Sequence, residues 1–172
     1  MGNLNLVNWV LGAWLLIVVV KRQLEPRVIR FKVNFFILII LLGFASIGDA
    51  FQKQHLQITP TQAAIFGSLS LAGALVFGWL RAQSYHLWVN DQGVVMRQGN
   101  WLTLVWWLIG IAVHLGVDHL WTGSSVTLLL YLGVTLLAQR GGVWWLAQRQ
   151  YPVAMQANQV RQAAGHHERH QR

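Results

Sequence analysis

His114 and Asp118 stand four residues apart in an otherwise apolar stretch, with His119 beside Asp118. Positions i and i+4 share a face of a helix. The imidazole and the carboxylate could therefore form a proton relay or supply two ligands to a metal. A third ligand at suitable spacing is absent, and Asp118 falls near the end of the stretch, so a structural pair is the simpler reading. Asp49 closes another apolar run, and Lys53 follows one turn later. That order favours a local ion pair, with a substrate-binding carboxylate as the alternative. An ionisable group at mid-bilayer costs about 2.5–3.5 kcal/mol on insertion scales. Asp49, His114 and Asp118 are accordingly the candidate polar membrane site, and an outward-facing cation site stays open.

Other chemistry has weaker footing. His166 and His170 share a helical spacing in Gly165-His166-His167-Glu168-Arg169-His170. In a polar, Gln-rich tail they read as an adventitious metal binder rather than a built site. The chain lacks a P-loop, a dinucleotide fingerprint, His-Glu-x-x-His and Gly-x-Ser-x-Gly. It has no cysteine, which removes thiolate metal sites and thiol–disulfide exchange. No catalytic residue, cofactor or resident metal is expected.

These residues must be carried by elements suited to lipid. Of the 172 residues, 55% are hydrophobic and 10% charged, against roughly 45–50% and 25% in soluble domains. A soluble fold of this size needs more polar residues to cover it. Apolar runs place spans at about 4–20, 33–51, 62–80, 101–117 and 124–140, near the length of about 20 residues that crosses the hydrocarbon. Residues 1–150 form a single membrane domain, and 151–172 read as a polar, disordered cytoplasmic tail. The last span reads as one long helix whose inner end emerges near Arg140, with Trp144 and Trp145 at the interface. Thr59-Pro60 reads as a helix start, with proline just inside a threonine cap. Ser70, Ala74 and Gly78, with Ala64, Ser68 and Ala72 on a neighbouring stripe, predict close helix packing within the chain or a homodimer seam. Residues 85–97 alternate around Asn90-Asp91-Gln92-Gly93 and predict a β-hairpin with glycine in the left-handed position.

Orientation follows from charge. The first loop, the hairpin side and the tail carry Lys21, Arg22, Arg27, Arg30, Lys32, Arg81, Arg97, Arg140, Arg149, Arg161, Arg169 and Arg172; the opposite side carries only Lys53. This positive-inside bias puts the N-terminus outside and the C-terminus inside. The net charge of +8 then points to anionic inner-leaflet lipid rather than nucleic acid. Lys21, Arg22, Arg27, Arg30, Lys32, Arg81 and Arg140 are the expected lipid-headgroup contacts, the last two by snorkelling. The expected fold is an all-α integral membrane protein of about five transmembrane helices, with a short cytoplasmic hairpin between spans three and four.

The stretch Gly78-Trp79-Leu80-Arg81, Leu87-Trp88, Asp91-Gln92-Gly93, Arg97-Gln98-Gly99 and Trp106-Trp107 resembles small multi-span bacterial membrane proteins of the CcdC-like type. The resemblance covers about residues 70–140, and the Arg-rich loop more loosely. It implies a polytopic protein of the bacterial cytoplasmic membrane and supplies no catalytic residues. The expected function is a non-enzymatic structural, accessory or regulatory component that packs with itself, with lipid or with a membrane partner. The alternative is a small oligomeric transporter or an ion- or proton-permeation subunit using Asp49, His114 and Asp118.

Overall fold

The computed structural model describes residues 20–21, 23–30, 33–53, 59–122 and 127–170; for Lys53, Trp121, Thr122 and residues 163–170 it describes the backbone alone. Among the described residues the elements in chain order are β1 (Arg27–Val28), α1 (Val33–Lys53), α2 (Pro60–Gln83), β2 (His86–Val89), β3 (Val95–Gln98), α3 (Trp101–Thr122), α4 (Leu128–Gln150) and α5 (Pro152–His170). The first expected span and the loop cations Arg22 and Lys32 lie outside the described residues.

Local signals fix several boundaries. Thr59 caps α2 by accepting from the Gln62 backbone N–H at 3.3 Å, while Gln62 Oε1 accepts from Thr59 N–H at 3.1 Å, a reciprocal capping box. Asn100 and Thr103 make the same exchange at the start of α3, at 3.0 and 3.2 Å. Pro152 opens α5 at the position where its missing N–H is no loss.

The helices centre on α4, against which α1 and α2 both pack, while α3 packs mainly on α2. Glycines set the closest approaches. A Cβ on Gly43 of α1 would lie 2.6 Å from the Leu130 backbone, and one on Gly133 would lie 2.8 Å from the Ile40 side chain. A Cβ on Gly78 of α2 would lie 2.7 Å from Ala138 Cβ and 2.8 Å from Thr135 O of α4. The stripe through Ala74 and Gly78 is thus buried within the chain, whereas Ala64, Ser68 and Ala72 are exposed.

Among the described residues, three helical segments are long and apolar enough to cross a membrane, Val33–Gln52, Pro60–Gln83 and Trp101–Leu120. Their large side chains point outward: Phe35, Leu38, Phe44, Ile65, Leu108 and Leu120 are among the exposed ones. The buried apolar cluster sits at the sheet end instead, where Ile29, Ala82, Tyr85, Leu87, Val95 and Met155 meet Val143 and Ala147 of α4.

Two differences from the sequence expectation arise here. The hairpin forms as expected, with Gly93 at φ +71° and Asn90 Oδ1 accepting from Gln92 and Val94 N–H. It is part of a larger sheet, however, of order β1-β3-β2 with both pairings antiparallel. The first loop supplies the extra strand. The second difference is a correction. The tail expected to be disordered is helix α5, which follows α4 after Tyr151. Asn158 provides the reason: its Oδ1 accepts from Val95 N–H at 2.9 Å, and its Nδ2 donates to Ile29 O and Val95 O at 3.2 and 3.0 Å. A single side chain joins the helix to two strands. Helix α4 is continuous through Gly141-Gly142, as expected of the last span, but runs ten residues past Arg140 to Gln150.

Candidate functional site

Thr127, Tyr131, Thr135 and Gln139 recur every fourth residue along α4, and all four are buried. Twelve residues of helix rise about 18 Å, so this polar file runs along much of the bundle. Each member engages a neighbouring element. A buried polar group without a partner costs roughly 1–3 kcal/mol, and every member of the file has at least one, although Gln139 Oε1 is left without a donor.

At one end Asp118 of α3 is 1% exposed and His114 3%. Thr127 donates twice to the carboxylate, from its backbone N–H to Oδ2 at 3.2 Å and from its hydroxyl to Oδ1 at 2.8 Å. Asp118 therefore caps the start of α4 from the preceding helix, where the helix dipole favours a negative charge. His114 does not contact Asp118 through a direct hydrogen bond; Thr127 lies between them. The Thr127 hydroxyl proton goes to Asp118, so the oxygen can only accept from His114 Nε2, at 3.4 Å. Neutral His114 then carries its proton on Nε2, and Ser70 donates to Nδ1 at 3.2 Å. The order Ser70, His114, Thr127, Asp118 is a continuous hydrogen-bonded chain joining α2, α3 and α4. Tyr131 stacks on the imidazole at 4.0 Å between ring centroids and donates to Gly110 O at 2.9 Å.

An apolar cavity of about 340 Å³ lies beside this hydrogen-bonded chain, lined by Ile40 and Phe44 of α1, Leu71 and Ala74 of α2, and Leu130 and Val134 of α4. Its polar edge is Ser70, Thr127 and Tyr131.

At the other end of the file stands Arg81, only 2% exposed. It donates from Nη2 to Thr135 Oγ1 and from Nε to Phe77 O at 3.1 Å, and lies over the Trp107 ring. Tyr85 follows, accepting from Gln139 Nε2 at 2.8 Å and Gln23 Nε2 at 2.5 Å. Burial raises the Tyr85 phenol above its ordinary pKa, against the pull of Arg97 and Arg81. Burial lowers Arg97 of β3 in turn, with Tyr85 opposing.

The structure thus brings His114 and Asp118 together and leaves Asp49 apart, on the exposed surface of α1. Arg81, expected to snorkel to headgroups, is turned inward instead, because Thr135 and Trp107 on other helices offer it an acceptor and an aromatic face. Lys21 and Arg30 are exposed, Arg27 and Arg140 half-buried. Among the described residues no three His, Asp or Glu side chains are grouped to hold a metal; the side chains of His166 and His170 are not among those described. Sequence reasoning missed Thr127, Tyr131, Thr135 and Gln139. Their four-residue period was the available signal. Comparison with protein-family models, with curated proteins and with solved structures gives no match.

Proposed function

We propose that the chain is a non-enzymatic, multi-pass protein of the bacterial cytoplasmic membrane, of the CcdC-like type, that acts as a structural or accessory component. It spans the membrane five times with the N-terminus outside. Its helices hold the sheet and α5 at a fixed position on the cytoplasmic side, where they meet lipid and a membrane partner or a second copy. The observation that carries this reading is the closure of the polar groups around His114 and Asp118 on one another. Both carboxylate oxygens of Asp118 and both ring nitrogens of His114 have partners within the chain. A bundle that is apolar outside and polar-paired inside suits lipid as its solvent.

Topology is tested first, by single cysteines in a chain that has none. Lys53→Cys is expected to react with an impermeant maleimide added to intact cells, and Asp91→Cys only after the cells are opened. Labelling of both from outside would sink the five-span arrangement. Photo-cross-linking from position 92, in the exposed turn, tests the role: a discrete adduct with a second copy or one membrane protein is expected, and lipid-only adducts would count against an accessory function.

The hydrogen-bonded chain through Ser70, His114, Thr127 and Asp118 favours a second reading, a proton-permeation subunit. Asp118→Asn separates the two. It replaces an acceptor with an N–H₂ group facing a donor, and a structural carboxylate predicts a loss of about 1–3 kcal/mol in stability. Proton flux in liposomes abolished at unchanged stability would instead identify a relay.

A further inference from the structure

Arg27 of β1 and Arg97 of β3 are directly opposite in the antiparallel pairing. Residues so paired leave the same face of a sheet, and like charges there destabilise it. Arg27 has a counter-charge, since its Nη2 donates to Glu25 Oε2 at 3.1 Å. Arg97 differs. Its side chain is 7% exposed, its guanidinium lies 5.2 Å from the centre of the Tyr85 ring, and its Nη1 has no hydrogen-bond acceptor. Among the described residues no carboxylate lies within ion-pair reach of it.

A cation taken out of water without a counter-charge is strongly unfavourable. Arg81 adds a second buried cation near Tyr85, and its donors are directed to neutral oxygens. The arrangement has an excess of buried positive charge, one unused guanidinium donor, and a second arginine across the strand pair. Planar forked donors of this kind match oxyanions, which they bind through parallel N–H bonds. Exposed Lys21 and Arg30 nearby in the chain add a field that concentrates anions. Glu25 competes only for Arg27.

We infer that Arg97 and Arg27 hold a phosphate-class oxyanion across the β1–β3 strand pair. The anion is the headgroup phosphate of an anionic lipid or a free phosphate. The lipid source rests on the membrane reading above; the free-anion source does not.

The test uses the full chain, purified in neutral detergent and stripped of lipid. Native mass spectrometry measures retention of phosphatidylglycerol against phosphatidylcholine, and thermal melting measures the effect of inorganic phosphate. Preferential retention of phosphatidylglycerol that Arg97→Gln reduces by about tenfold or more supports the lipid source. A rise in melting temperature with phosphate, absent in Arg97→Gln, supports the free anion. Arg27→Gln, at a half-buried position, should weaken binding several-fold and carries the test if Arg97→Gln does not fold. Arg30→Gln, which removes only part of the surrounding field, should weaken binding less than either. Equal retention of the two lipids together with no response to phosphate overturns the inference, as does binding that Arg27→Gln and Arg97→Gln leave intact. The phosphate arm keeps its meaning even if cysteine labelling rejects the membrane topology.

Discussion

Replacing Asn158 with alanine is expected to release α5 from the sheet. The side chain makes three hydrogen bonds, all to backbone groups, and is 2% exposed. Alanine leaves the Val95 N–H without an acceptor and strips one donor from Ile29 O. Val95 O keeps the Ile29 N–H at 3.2 Å. Two buried backbone groups at roughly 1–3 kcal/mol each give a loss of about 2–6 kcal/mol, a large share of an ordinary stability margin. The loss should be local. Amide exchange at Val95 and Ile29 should accelerate, and protease should cut within residues 152–162, while the α1–α4 helices stay protected. Asn158→Asp should be as damaging, because a carboxylate accepts from Val95 N–H but cannot donate to Ile29 O and Val95 O. Exchange at Val95 unchanged in both variants would show that the sheet holds without the helix.

Why Asn158 escaped a reading of the sequence is instructive. Over residues 152–162 helix α5 buries a narrow face, chiefly Met155 and Asn158, and the segment as a whole is Gln-, Ala- and His-rich. Its large apolar residues are few, and Val153 and Val160 lie off the buried face, so composition alone reads as tail. Strand β1 is hidden for a related reason. It is two residues long and pairs with a strand about 70 positions later, so its existence depends on a distant partner. The apolar helices were legible because each must satisfy its own backbone and present an apolar surface, both of which are local properties. The cap at Thr59 and the turn at Gly93 were legible because their chemistry lies within four residues. Helix α4 is the intermediate case. Neighbours cover it, so it can carry polar residues that exposed helices cannot, and its middle includes Gln139 and Arg140. Those residues blur it as a span while marking it as the centre. The inward turn of Arg81 was invisible for want of Thr135 and Trp107, which reach it only through helix packing.

The glycines that let helices reach α4 give the last prediction, and it has opposite signs at neighbouring positions. A Cβ at Gly43 would lie 2.6 Å from both Cα and N of Leu130, whereas at Gly48, on the same helix, nothing lies within 4 Å. The same contrast holds on α2: Gly78 would meet Thr135 O at 2.8 Å, and Gly73 meets nothing within 4 Å. Backbone cannot rotate away as a side-chain tip can, so Gly43→Ala and Gly78→Ala must push whole helices off α4. Overpacking of this kind costs about 1–3 kcal/mol. Gly48→Ala and Gly73→Ala remove a flexible residue from a helix at no steric expense, and should leave stability unchanged or raise it by up to about 1 kcal/mol. Unfolding of the four variants in mixed micelles by titrated denaturing detergent ranks them directly. Gly78→Ala should also disturb Arg81, whose Nη2 bond to Thr135 depends on the same helix contact, so its loss should exceed that of Gly43→Ala. If all four substitutions gave the same shift, the close α1–α4 and α2–α4 contacts would not be those that hold the bundle, and the polar file along α4 would lose its seal.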